Sequence, residues 1–258
     1  MTARSDAVFV SGLTKDFGAT RALDGISFRV FPGEVFALLG PNGAGKTTAM
    51  RILLTLLRPT AGVARVAGAD VVERPALVRA LVGWVPQERT ADPLLTAREN
   101  LAFMAGMHHV RPRAARARVA ELLEFAGLDG HAARLAADLS GGMRRKLELA
   151  MGLVHLPAVL FLDEPTLGLD IGARRSLWAH VRDIRAAGTS VLLTTHYLEE
   201  ADALCDRVAI IDRGVIKACD TPAALKAAHG ASSLEDVFLA ATGQDMADQP
   251  PSDQLVAP

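Results

Sequence analysis

The residues best equipped for chemistry stand at the ends of apolar runs. VFALLGPNGAGKTT passes from a hydrophobic run (Val35 to Gly40) into glycines, a lysine and two threonines. It fits the pattern G-x-x-x-x-G-K-[ST], with Gly40, Gly45, Lys46 and Thr47 at the fixed positions and Pro41, Asn42, Gly43 and Ala44 between them. Glycines let successive backbone N–H groups curl around phosphate oxygens, and a helix starting there adds partial positive charge. In that arrangement Lys46 reaches the β- and γ-phosphates of a nucleotide, the Thr47 hydroxyl ligates Mg²⁺ and Thr48 reaches the α-phosphate. AVLFLDEPT brings two neighbouring carboxylates, Asp163 and Glu164, to the end of another apolar run. A parallel strand presents its C-terminal end to the ligand crevice. Asp163 is then placed to hold the Mg²⁺ shell, and Glu164 to face an attacking water as general base. Taken alone, the pair reads equally as a solvated turn before Pro165; beside a phosphate loop the catalytic reading is favoured.

A further stretch raises a question. In LSGGMRRKLELAM, Ser140 can cap a helix, and Gly141 and Gly142 allow backbone to approach a ligand closely. The chain thus carries a second helix start suited to phosphate, although it already has one.

Elements must position these residues. Apolar runs bounded by turn residues predict strands from Val35 to Gly40, Leu81 to Gln87, Ala158 to Glu164, Ser190 to His196 and Arg207 to Asp212. Stretches rich in Ala, Leu and Arg separate several of them and predict helices. Such alternation implies an α/β fold with a mostly parallel sheet covered on both faces. AVFVSGL, ISFRV and GVARVAG are short and closely spaced, which suggests a small antiparallel sheet. Between Thr90 and His155 the strand pattern gives way to ARENLAFMAGM, AARARVAELLEFAG and MRRKLELAMGLV, a helical insertion. SSLEDVFLAATG places Leu234, Val237, Phe238 and Ala241 on one helical face, suited to packing on the main unit. The tail QDMADQPPSDQLVAP is polar, acidic and Pro-containing, the composition of a disordered segment. The expected division is a main unit at 7–225 with the insertion at about 90–155, a helical extension at 226–243 and a tail at 244–258.

The 258 residues are 50% hydrophobic and 22% charged, which predicts a folded globular protein; the formal net charge of −1 lacks the basic surplus usual in nucleic-acid binding. The basic stretches RPRAARAR and MRRK read as solvated helix faces. Cys205 and Cys219 match no zinc or redox spacing, in keeping with a reduced compartment. No signal-like apolar run opens the chain and no window reaches the roughly 18 apolar residues of a membrane helix. A cytosolic protein is expected, with any role at a membrane depending on a partner.

With the loop and the acid pair in place, LSGGM completes a resemblance. From Val8 to Thr221 the chain resembles the ATP-binding cassette (ABC) ATPases. That implies a P-loop NTPase (RecA-like) core with an N-terminal antiparallel β subdomain and a helical insertion specific to the family. Phe17, in KDFG, matches the aromatic that stacks on adenine, although by itself it would also suit a core. Gln87, in VPQE, matches the Q-loop glutamine that contacts Mg²⁺ or water and lies near the membrane partner's docking groove. Gly168, Leu169 and Asp170 match the D-loop, and Asp170 is carried over as a nucleotide-site residue. His196, ending SVLLTTH, matches the switch histidine near the γ-phosphate. The resemblance thus implies a site for ATP and Mg²⁺ with Glu164, His196, Lys46 and Gln87 in catalysis.

The resemblance also implies why there are two phosphate-ready helix starts. Cassettes of this family pair head to tail, and Ser140, Gly141 and Gly142 of one copy close over the γ-phosphate held by Lys46 of the other. Two helix N-termini then meet the same charge. Met143 stands where the signature usually has glutamine, and Phe17 where tyrosine is commoner. Neither change touches Lys46, Asp163, Glu164 or His196, and an active ATPase is expected.

GWVPQERTADPLLTARENLAFMAGM, LSGGMRRKLELAMGLVHLP and SLEDVFLAATG look like bacterial exporters of the daunorubicin-resistance type. That likeness implies a homodimer formed on ATP binding, a separate ABC-2-type membrane permease and no nucleic acid partner. It places the subunit on the cytoplasmic face of the cell membrane, held by the permease, exporting a drug-like or lipid-like substrate. Other readings stay open: the ATPase of an importer or a haem-type exporter, and a non-transport ABC protein of translation or DNA repair. An importer would copurify with a substrate-binding protein, and a non-transport protein usually carries tandem cassettes or a long coiled coil.

Overall fold

The computed structural model describes residues 6–243. The expectation of a disordered tail at 244–258 lies outside those residues.

Strands β1 (Val8–Phe17) and β2 (Thr20–Val30) form an antiparallel hairpin in which Phe17 faces Thr20 and Val8 faces Val30. Strand β3 (Val35–Leu39) then runs into helix α1 (Lys46–Leu53). Strands β4 (Ala61–Val66) and β5 (Ala69–Asp70) return to the hairpin and complete a four-stranded sheet of order β2-β1-β4-β5. All its pairings are antiparallel, as the three short, closely spaced runs imply.

Helix α2 (Pro75–Leu81) leads straight into β6 (Val82–Val85). The next strand is β7 (Val159–Asp163), followed by α6 (Ile171–Ala186), β8 (Ser190–Thr195), α7 (Leu198–Leu204) and β9 (Arg207–Asp212). Between β6 and β7 lie α3 (Ala97–Met107), α4 (Pro112–Phe125) and α5 (Gly141–Gly152). Thr96 and Glu99 form a capping box at the start of α3, satisfying backbone N–H groups that a helix start leaves open. The five runs expected as strands are β3, β6, β7, β8 and β9, and they lie parallel in one sheet. A sixth strand, β10 (Val215–Asp220), joins its edge antiparallel to β9, giving the order β10-β9-β3-β8-β7-β6. VIKACD mixes charge with apolar residues and is nowhere fully buried, so no apolar run announced it.

Every residue of β3, β7 and β8 is buried, as befits strands covered on both faces. Their side chains alternate between two cores. Phe36, Leu38, Phe161, Leu192 and Ile211 face the antiparallel sheet and α1. Val35, Ala37, Leu39, Leu162, Leu193 and Ile210 face the helical layer. Helices α8 (Pro222–His229) and α9 (Leu234–Thr242) close the described chain, and Leu234, Val237 and Phe238 are buried in that second core while Ala241 is half-buried.

Candidate functional site

The C-terminal ends of the parallel strands converge on the candidate residues. After β3 the chain turns at Gly40, whose N–H donates to the Thr195 carbonyl at the end of β8 (3.3 Å). A side chain on Gly40 would collide with the Ile211 carbonyl of β9. Gly45 adopts φ +105°, and a Cβ there would lie 2.7 Å from the Ala22 carbonyl of β2. Both sheets therefore press on the loop, and only glycine fits at these two points. Lys46 opens α1 with 5% of its side chain exposed, and its Nζ donates to the carbonyls of Gly40 (2.7 Å) and Pro41 (3.1 Å). Burial pulls its ammonium below the usual lysine range, while Glu164 opposes that pull. Asn42 and Thr47 are exposed at the mouth of the loop, and Thr48 is half-buried.

Asp163 ends β7 and pairs in register with Thr194 of β8, whose hydroxyl donates to Asp163 Oδ1. Burial pushes the Asp163 carboxyl above its ordinary range, although the Thr194 bond works the other way. The next residue, Glu164, takes φ +45°, uncommon for a residue with a Cβ. Its N–H donates to both the carbonyl and the hydroxyl of Thr194, each at 3.1 Å. This turned backbone puts the carboxylate between two groups: Oε1 is 3.4 Å from Lys46 Nζ and Oε2 is 3.0 Å from His196 Nδ1. The His196 contact is close without being aligned as a hydrogen bond. Burial by itself raises the Glu164 carboxyl, but His196 and Lys46 outweigh it and hold the group below its ordinary range. A carboxylate kept ionised in a sheltered position is what a general base requires.

The remaining candidates surround this centre. Ser140 caps α5, its hydroxyl accepting from the Met143 N–H (3.3 Å), and Ser140 and Gly141 are exposed. Asp170 caps α6, accepting from the Ala173 N–H (2.8 Å). Gln87, Gly141, Glu164 and Gly168 line one cleft of about 150 Å³. Phe17 is 49% exposed, with Lys15 Nζ 5.0 Å from its ring centroid, so it is no core residue. Met143 is partly buried against the helical core, which accounts for methionine at that turn: it packs inward.

Reading MRRK as a solvated face needs correction. Arg144 donates to the carbonyls of Ala136, Ala137 and Leu139, and Arg145 is buried with Glu148 beside the acid pair. The apolar residues around them on α5 were the available signal. Thr194 belongs to no motif, and its sequence signal is only that a hydroxyl within an apolar strand needs a partner, here Asp163. In RPRAARAR the expectation holds for Arg111, Arg113 and Arg116, which are exposed; Arg118 is half-buried and donates to the Leu153 carbonyl.

A family model described as ABC transporter matches residues 23–167. The chain is 48% identical to the daunorubicin resistance ATP-binding protein DrrA3 of Streptomyces coeruleorubidus, over 92% of this chain and 75% of that one. It is 44% identical to Nod factor export ATP-binding protein I of Paraburkholderia xenovorans (strain LB400), over 90% and 76%. A solved ATP-binding subunit of an ABC transporter matches with a TM-score of 0.82 at 28% identity, covering 92% of this chain and 99% of that one. With a phosphate loop, an acid pair and a histidine gathered at the C-terminal ends of its parallel strands, the chain belongs to the ABC transporter family and is an ATP-binding ATPase.

Proposed function

We propose that this ATPase drives a bacterial exporter through a separate ABC-2-type permease, working as a homodimer that closes on ATP at the cytoplasmic face of the cell membrane. The observation that carries the mechanism is the Glu164 carboxylate set between Lys46 and His196. In this reading, glycines 40, 43 and 45 shape the cradle for the triphosphate and Lys46 swings from the loop carbonyls to its terminal phosphates. Glu164 takes a proton from the attacking water, and His196 and Gln87 register the loss of phosphate. Phe17 supplies an exposed ring for adenine. Exposed Ser140 and Gly141, with Gly142, reach the γ-phosphate on the second copy, and Asp170 stands beside that contact. The oxygen donors of Thr47, Asp163 and Gln87 suit a hard cation such as Mg²⁺. When bound, that ion would neutralise charge on the phosphates.

The export reading is supported by the names of the relatives, resistance to daunorubicin and export of Nod factor. Among the described residues no helix is long and apolar enough to cross a membrane, which fits a subunit held by a permease.

Mixing two disabled chains tests the shared site. A Ser140→Arg chain and a Lys46→Ala chain should each lack hydrolysis, while their mixed dimer retains one intact site and regains part of it. A mixture as inactive as either parent would overturn the two-copy site.

A further inference from the structure

The Arg145 guanidinium donates four hydrogen bonds, to acceptors on three separate parts of the chain. Nε reaches the Pro165 carbonyl (2.9 Å) and Nη2 the Asp163 carbonyl (3.3 Å), the two peptide oxygens that flank Glu164. Nη1 reaches the Pro86 carbonyl (2.8 Å), next to Gln87, and Glu148 Oε2 (3.0 Å) one turn along α5. The other carboxylate oxygen of Glu148 accepts from the Thr90 N–H (3.0 Å), beyond Gln87. Arg145 and Glu148 are both buried. A buried ion pair is weak evidence for stability, since desolvation offsets its attraction. Two of the four Arg145 donors nevertheless converge on one turn, the one where Glu164 sits at φ +45°. Backbone held in a sparsely populated region persists only when its surroundings over-determine it.

We propose that Arg145, braced by Glu148, is a positioning residue: it fixes the turned backbone of Glu164 and ties it to the segment around Gln87 and to the helix headed by Ser140. It touches no reacting atom. A planar fork of fixed donors serves four directions at once, which a lysine cannot reproduce. Any rotation of α5 that carries Ser140 then also moves the carbonyls on either side of Glu164. The role rests on the proposed assignment of Glu164 as the base.

The test is Arg145→Lys in the full chain, followed by ATP turnover, nucleotide affinity and thermal unfolding. Small misplacement of a reacting group costs about 10–100-fold in rate. We expect kcat to fall by about that factor, with KM for ATP and the affinity for a fluorescent ATP analogue within about twofold of the parent. Arg145→Lys added to Glu164→Gln should cost nothing further, because the group it positions is already gone. If the two losses multiply instead, Arg145 acts elsewhere and the proposal fails. If Glu164→Gln alone turns over at the parental rate, the base assignment has failed, a separate result. Should Arg145→Lys not fold, Glu148→Gln removes the brace while keeping its shape, and the same cycle with Glu164→Gln decides.

Discussion

A Cβ built on Gly142 would lie 3.0 Å from the Cβ of Ala173. The helix carrying the signature residues and the helix capped by Asp170 therefore meet at their first turns, with no room for a larger residue. The contact fixes Ser140 relative to Asp170, two residues otherwise far apart in sequence. Gly142→Ala must push the helices apart by a few tenths of an ångström, with overpacking costs of about 1–3 kcal/mol. We expect a lower Tm and slower ATP hydrolysis. Adding Ala173→Gly should return the Tm to near the parent's; if hydrolysis stays low in that double variant, Gly142 also serves as a point of close approach to phosphate.

Glu164→Gln should lower turnover by about 10²–10⁴-fold, the contribution of a positioned base. The neutral side chain is nearly the same size, so ATP affinity by equilibrium titration should be kept. Without nucleotide, burial raises the Glu164 carboxyl but His196 and Lys46 outweigh it and hold it below its ordinary range. A parental rate in the Gln variant would remove Glu164 from the mechanism.

Asp163 offers a trade between stability and activity. Its folded carboxyl is raised above the ordinary 3.8 by burial, so the folded state holds the proton more tightly than the unfolded chain. Its favourable contribution is present below 3.8 and is lost as pH rises through the folded value, leaving a buried charge that costs stability at neutral pH. Asp163→Asn removes the charge and can still accept from the Thr194 hydroxyl. Scanning calorimetry without nucleotide at neutral pH should show a higher Tm, by about 2–4 °C for each kcal/mol relieved in a protein of this size. ATP hydrolysis in the presence of Mg²⁺ should be lost.

Glu200 is wholly buried, and its Oε1 accepts from Trp178 Nε1 at 3.1 Å, joining α7 to α6 just after His196. Burial pushes its carboxyl up, so a neutral amide is tolerated there. Glu200→Gln should unfold at or above the parental temperature. Glu200→Ala strands the indole N–H, a penalty of about 1–3 kcal/mol before any cavity is counted. Equal unfolding temperatures for the two variants would show that the Trp178 bond does not matter.

The extension is testable through Phe238, 1% exposed in the core beneath the helical layer. Phe238→Ala should destabilise the protein by about 3–5 kcal/mol, visible in denaturant unfolding. A loss below about 1 kcal/mol would mean that α9 contributes little to the core, since even a single buried methylene carries about that much.

The local motifs were legible because their chemistry is local. Glycines at 40, 43 and 45 before Lys46 specify a loop that can curl, Ser140 specifies a helix start, and the unbroken apolar runs at β3, β7 and β8 specify strands buried on both faces. The edge strand β10 escaped because its two half-covered faces leave no run to detect. Tertiary structure alone decided that Glu164 lies between Lys46 and His196, since Lys46 heads the helix after β3, Glu164 follows β7 and His196 follows β8, strands whose order in the sheet is not their order in sequence. It also decided the fate of Arg145. A basic residue on a helix has the same spacing whether that face meets water or protein, so only the segments packed against α5 could turn an apparently solvated arginine into a buried one.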